Sequence, residues 1–183
     1  GVLETRSTSL SEDEQSALND AVFASFVDAA QGLQRARLTE GAQLFAILSG
    51  LMDQVEALTK SAEPLADAVT VAMADRLSTL AADLASKAGT VIPEDRLAQE
   101  AAMLATKADV REELDRLHAH ILSARTLLGS GQPAGRKLDF LAQEFMREAN
   151  TLCSKAGSME LTNIGLALKS AVDQFKEQVA NVE

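Results

Sequence analysis

Apolar residues recur along almost the whole chain at intervals of three and four, the period of a helix with one buried face. Leu18, Val22, Phe26, Ala29 and Leu33 form a first stripe, and Ser11-Glu12-Asp13-Glu14 ahead of it matches a capping box that opens the helix. Around Thr39-Glu40-Gly41 the register restarts or kinks, and Leu44, Ile47, Leu51, Val55 and Leu58 make a second stripe. Pro64 marks a kink or a new start, because proline suits a first turn and spoils an interior. A third stripe follows at Leu65, Val69, Met73, Leu77, Leu80 and Leu84. Gly89 reads as its C-cap, and Pro93-Glu94-Asp95 opens the next helix with acids at the positive end.

That fourth helix is expected over residues 93–128. Its seam is Leu97, Ala101, Leu104 and Ala108, continued by Leu114, Leu117, Ile121, Ala124 and Leu128. The run Gly129-Ser130-Gly131-Gln132-Pro133-Ala134-Gly135 is the clearest loop. A fifth helix is expected over 136–156, stopping near Gly157. A sixth carries Leu161, Ile164, Leu168, Val172, Phe175, Val179 and Val182 nearly in heptad register. A spacing of about 3.5 residues predicts an all-α chain of five to six helices in long antiparallel, coiled-coil-like hairpins. The pattern divides into a helical hairpin region, 1–92, and a second helical module, 93–183.

Composition agrees with this. Aromatic residues are 3% of the chain and Trp and Tyr are absent, which argues against a large sheet. No apolar run reaches the roughly 20 residues of a membrane helix, so no membrane partner is expected. No signal peptide is visible, and Cys153 is alone, which fits a reducing, cytoplasmic compartment. The absence of a leading methionine suggests a trimmed chain. The net charge of −10 excludes strong nonspecific nucleic-acid binding, yet it is uneven: residues 105–160 hold eight basic and eight acidic side chains. An RNA site would have to be a local basic patch there.

Two constellations lie in that balanced stretch. Asp109, Glu113, Arg116 and His120 share one face of the expected fourth helix, with Glu112 beside them. Carboxylates and an imidazole on one face suit a divalent metal or general acid/base work, although Glu113 and Arg116 equally suit a plain surface ion pair. The fifth helix carries a wholly polar stripe, Arg136, Asp139, Gln143, Arg147, Asn150 and Ser154, with Lys137, Glu144, Glu148, Thr151 and Lys155 alongside. Gln, Asn and Ser make directed hydrogen bonds. Phosphate and base contacts, or a polar seam between helices, both account for such a stripe. There is no phosphate-binding glycine loop, dinucleotide fingerprint, zinc-protease motif or nucleophile elbow.

The patterns DVxEELxRLxxH over 109–120 and GRKLDFLxQExxREANTxxSKA over 135–156 resemble the C-terminal part of the bacterial YicC/YloC family. Arg37, Glu40 and Gly41 are similar to a further segment of it. The resemblance implies a metal-dependent endoribonuclease using Mn²⁺ or Mg²⁺, acting on single-stranded or structured RNA. It also implies a ring-like homo-hexamer, a history as a stress-induced protein, and an N-terminal β-containing domain that this chain mostly lacks.

By position, the resemblance implies Glu113, His120, Asp109 and Glu112 as catalytic residues. The physical roles expected from residue chemistry put Arg37, Arg116, Arg136, Lys137, Gln143, Arg147, Asn150 and Lys155 on RNA, and Asp109, Glu113, Asp139, Glu144 and Glu148 around the metal. His120 would shuttle a proton, and the loop at 129–135 would act as a hinge. The competing reading is a non-catalytic helical module that oligomerises, binds RNA and presents it to other nucleases.

Overall fold

A computed structural model describes residues 10–88 and 93–182. Among the described residues there are five helices and no strand: α1 (Glu12–Ala88), α2 (Glu94–Ala108), α3 (Arg111–Gly129), α4 (Gly135–Lys155) and α5 (Met159–Val179). The all-α expectation is met. None of these helices is long and apolar enough to cross a membrane.

Two boundaries differ from the sequence reading. The three N-terminal stripes belong to one helix of 77 residues, α1. Thr39 lies within the helix, its hydroxyl donating to the carbonyl of Arg35 at 3.0 Å. Pro64 is interior to α1 and exposed, so the carbonyl that loses its N–H partner, at exposed Lys60, faces water. Conversely, the expected fourth helix is two. Asp109 has extended backbone (ψ 119°), and its Oδ1 accepts from the Arg111 N–H at 2.9 Å. Asp side chains offer the backbone such local alternatives to a helix. Buried Val110 then anchors the start of α3. The proposed C-cap at Gly89 lies outside the described residues.

Contacts divide the chain into two compact units, Gly1–Gln43 and Leu44–Glu183. In the first, the capping box forms as expected. The Ser11 hydroxyl accepts from the Glu14 N–H at 3.3 Å, and the Glu14 carboxylate accepts from the Ser11 N–H at 2.9 Å. That bond holds the Glu14 carboxyl below the usual range. The stripe at Leu18, Val22, Phe26 and Leu33 is exposed.

The second unit is a helical bundle. The α1 seam runs Leu48, Met52, Val55, Thr59, Ala62, Ala66 and Val69, alternating steps of four and three. The α3 seam runs Val110, Leu114, Leu117, Ile121 and Ala124 with the same alternation. The seams meet Leu138, Phe145 and Leu152 of α4 and Leu161, Leu168, Val172 and Phe175 of α5 in one core. Each of these large side chains contributes about 1.5–3 kcal/mol on burial. Thr59 satisfies its buried hydroxyl on the Val55 carbonyl at 2.8 Å.

Polar residues spaced by heptads link α3 to α1 in one register. Arg111 meets Asp67 at 2.9 Å, His118 meets Glu63 at 2.7 Å, and Arg125 meets Asp53 and Glu56 at 2.7 and 2.6 Å. Numbers rise on α3 as they fall on α1, so the two are antiparallel. Bonds from Lys60 and then Arg125 hold the Glu56 carboxyl below its ordinary range.

The expected loop is present between α3 and α4, with Gly131 at φ 64°, a left-handed conformation that suits glycine. Gly135, which opens α4, is needed for a different reason. A Cβ there would collide with the backbone carbonyl of Val182. Gly135→Ala is therefore expected to destabilise the chain by about 1–3 kcal/mol, read as a lower midpoint in urea unfolding. An unchanged midpoint would show that the C-terminal turn moves away freely.

Candidate metal centre

The helix α4 follows a period of 3.6, so Glu144 and Glu148 stand one turn apart on one face. The short loop folds α4 back along α3, and each step of four forward on α3 meets a step of four backward on α4. Arg116 accordingly reaches Glu148, its Nη1 donating to Oε1 at 3.4 Å. One turn further along α3, His120 falls opposite Glu144. His120, Glu144 and Glu148 each bring one ligand atom to within 4.8 Å of the others.

The environment of this triad is unusual for a plain surface. Glu148 is only 2% exposed. His120 Nε2 is buried and has no hydrogen-bond partner. The His120 ring packs edge-on against Phe145, with centroids 5.8 Å apart. Phe145 in turn packs edge-on against Phe175, which ties the imidazole into the core. Arg116 also pairs with Glu112 on its own helix. Attraction to Glu112 first, and to Glu148 second, raises the Arg116 guanidinium above its ordinary value, so it stays cationic.

The other expected site residues fall elsewhere. Glu113 is buried on α3, but its Oε1 accepts from Lys155 Nζ at 2.8 Å, and Oε2 is unpartnered. Lys155 also donates to the Asp109 carbonyl at 3.1 Å. The Asp109 backbone carbonyl and the Glu113 carboxylate thus both meet the Lys155 ammonium. Asp109 precedes α3, so it leaves the face that was expected to hold it with Glu113, Arg116 and His120. Glu112 is exposed and occupied by Arg116. Asp139 accepts from Gln143 Nε2 at 2.9 Å. None of Asp109, Glu113 and Asp139 belongs to the ligand group formed among the described residues.

Of the expected RNA contacts, Arg136, Lys137 and Asn150 are exposed on α4. Arg147 is exposed and reaches Glu144 at 3.6 Å. Arg116 and Lys155 are engaged by Glu148 and Glu113. Arg37 lies in the Gly1–Gln43 unit. Part-buried Cys153 lies where α4 meets α5, against Gly165.

Sequence reasoning expected Glu144 and Glu148 at a metal and His120, which lies beside them, as a proton shuttle. It also gave Arg116 to phosphate rather than to Glu148. The available signal was the loop at 129–135. A tight antiparallel return sets Arg116 against Glu148 and therefore His120 against Glu144.

Known proteins share this part of the chain. The family model described as Endoribonuclease YicC-like, C-terminal, matches residues 60–183. A protein named probable endoribonuclease YicC from Haemophilus influenzae is 45% identical over 75 residues, covering 41% of this chain and 26% of its own length. One of the same name from Clostridioides difficile is 36% identical over 74 residues, covering 40% of this chain and 25% of its own length. The match therefore spans about a quarter of the length of these curated relatives.

Proposed function

Because the chain belongs to the YicC-like endoribonuclease family, we propose that it cleaves RNA phosphodiester bonds with a divalent cation held by His120, Glu144 and Glu148. The observation that carries this reading is the buried, unpartnered Nε2 of His120 beside two carboxylates. A buried nitrogen without a partner costs about 1–3 kcal/mol, and neighbouring carboxylates repel. One cation relieves both. One imidazole and two carboxylates form a mixed donor set that suits Mn²⁺ better than Mg²⁺, which prefers oxygen ligands and water.

When bound, such a cation polarises a phosphoryl oxygen and makes a bound water more acidic. The chain's own residues do the rest. Arg116 fixes Glu148 and, half-exposed, keeps N–H groups turned toward solvent for a phosphate oxygen. Lys155 neutralises Glu113 and so removes one buried negative charge from beside the substrate. Arg147 and Asn150 are exposed on α4 for neighbouring phosphates and sugars. His120 serves as a ligand in this reading, not as a proton shuttle. The reading extends to a cytoplasmic homo-oligomer, hexameric in the full-length protein, with the exposed stripe at Leu18, Val22 and Phe26 as an apolar face for association.

The second reading, an RNA-presenting helical adaptor, draws on the two ion pairs that staple α3 to α4, Glu113–Lys155 and Arg116–Glu148. Incubation of a labelled, structured RNA separates the two. With Mn²⁺ the RNA is expected to be cut, and EDTA is expected to stop the reaction. His120→Ala is expected to lose both cleavage and any rise of unfolding temperature with Mn²⁺. RNA bound but never cut by the folded full-length protein would leave the adaptor.

A further inference from the structure

Along the same face of α4 that carries Glu144 and Glu148, one more turn toward the loop brings Phe140. Its ring is 60% exposed. Phe145 of the same helix and Phe175 of α5 are fully buried, whereas Phe140, like Phe45 of α1, faces solvent. Phe140 does not stand alone. It lines a groove of about 620 Å³ between α3 and α4. Leu122, itself 69% exposed, makes part of the opposite wall. Ser123 and Thr126 of α3 add hydroxyls, and Arg136 and Lys137 of α4 add charge.

Three properties of this groove select its occupant. It contains no acidic lining residue. Its two cations, Arg136 and Lys137, enter no ion pair among the described residues, whereas Arg111, Arg116, Arg125, Arg147 and Lys155 of the same bundle are all paired. It also lies near the triad along α4, since its lining residue Phe140 and the ligand candidate Glu144 are one helical turn apart, about 6 Å of rise. An aromatic platform flanked by unpaired cations is how single-stranded nucleic acid is held without reading its sequence: bases stack on the ring and phosphates meet the charges. An apolar peptide segment would not call for Arg136 and Lys137.

We infer that this groove is a nucleotide subsite next to the cleavage centre, in which Phe140 stacks an unpaired base and Arg136 and Lys137 hold the adjoining phosphate. The inference rests on the nuclease reading only for which strand occupies it, because it puts the nucleotide beside the scissile bond. Phe140 is a positioning residue there: it sets where along the strand the triad acts. A base that must leave its partner to stack directs the enzyme to unpaired stretches of RNA.

The test uses the whole chain and a short single-stranded ribo-oligonucleotide carrying one fluorescent purine analogue, first in EDTA and then with Mn²⁺. Stacking on Phe140 is expected to quench the analogue. Phe140→Ala is expected to abolish the quench and weaken binding roughly tenfold, the range measured for loss of one stacked base. Phe140→Tyr, which keeps the ring, is expected to restore both. Arg136→Gln with Lys137→Gln is expected to weaken binding and flatten its salt dependence. Because Phe140 is exposed, its variants should unfold at the wild-type temperature.

Metal-dependent cleavage with binding and cut position unchanged in Phe140→Ala overturns the subsite and leaves the nuclease reading intact. Phe140-dependent quenching with no cleavage under any divalent metal overturns the nuclease reading and keeps the subsite. No binding of the oligonucleotide by the folded chain overturns the subsite. So does an apolar peptide that binds the groove while the oligonucleotide does not.

Discussion

Glu148→Gln is expected to reduce Mn²⁺-dependent RNA cleavage by at least about a hundredfold while raising the stability of the metal-free chain. The two effects share one cause. Glu148 is the most deeply buried ligand candidate, 2% exposed, and it sits within ligand distance of Glu144 and His120. Without a cation, two carboxylates crowd one partly desolvated space and repel each other. Glutamine keeps the shape and removes the repulsion. Arg116 loses only its longer contact, retains Glu112, and is half-exposed, so no buried charge is stranded.

Replacing groups that merely orient ligands typically costs 10–100-fold in affinity or activity, and loss of a ligand should cost more. The checks are single-turnover cleavage and thermal unfolding, each with and without Mn²⁺. An inactive variant whose metal-free unfolding temperature falls would mean that Glu148 is a structural member of the seam. Unchanged cleavage would remove Glu148 from the site.

Lys155→Met is expected to be the most destabilising single change in the polar seam, by about 3–5 kcal/mol. Among the described residues, Lys155 forms the ion pair with the Glu113 carboxylate, whose side chain is 5% exposed and whose second oxygen lacks a hydrogen bond. Removing the ammonium leaves a buried carboxylate whose remaining cationic neighbour, Arg116, is already shared with Glu112 and Glu148. The same substitution frees the Asp109 carbonyl, which Lys155 caps at the break before α3. Adding Glu113→Leu should recover most of the loss, because an apolar pair of similar volume often replaces a buried ion pair at no net cost. Urea unfolding of the two single variants and the double variant checks this. A double variant as unstable as Lys155→Met alone would show that Glu113 is needed for something other than its partner.

Helical class, heptad seams, the capping box at Ser11 and the loop at 129–135 were legible because each is a local signal: period, cap chemistry or turn chemistry. The breaks were less so. Proline at position 64 reads as a boundary, but in an exposed position of a long helix it removes one hydrogen bond whose acceptor water can satisfy. Asp109-Val110 reads as helix, because nothing but the Asp109 side chain bond to Arg111 marks the turn.

The triad was half legible for the same reason. Periodicity tells which residues share a face of one helix, and the family resemblance supplied Glu144 and Glu148 as metal carboxylates. It does not tell which residue of α3 stands opposite them. That depends on how tightly the loop returns and on the packing of Phe145 against His120. Glu113, Arg116 and His120 share one face of the helix expected from sequence. Burial beside Lys155 and Glu148 is what separates them.

All three ligand candidates lie between positions 120 and 148, on two helices joined by a single short loop. Such a site has low contact order, and local contacts form fastest when a chain folds. The α3–α4 hairpin can therefore gather its donor atoms before the long α1 seam and α5 have docked. A cation present during folding would meet a nearly complete set of ligands early, and would favour the antiparallel register that the rest of the bundle must then accept.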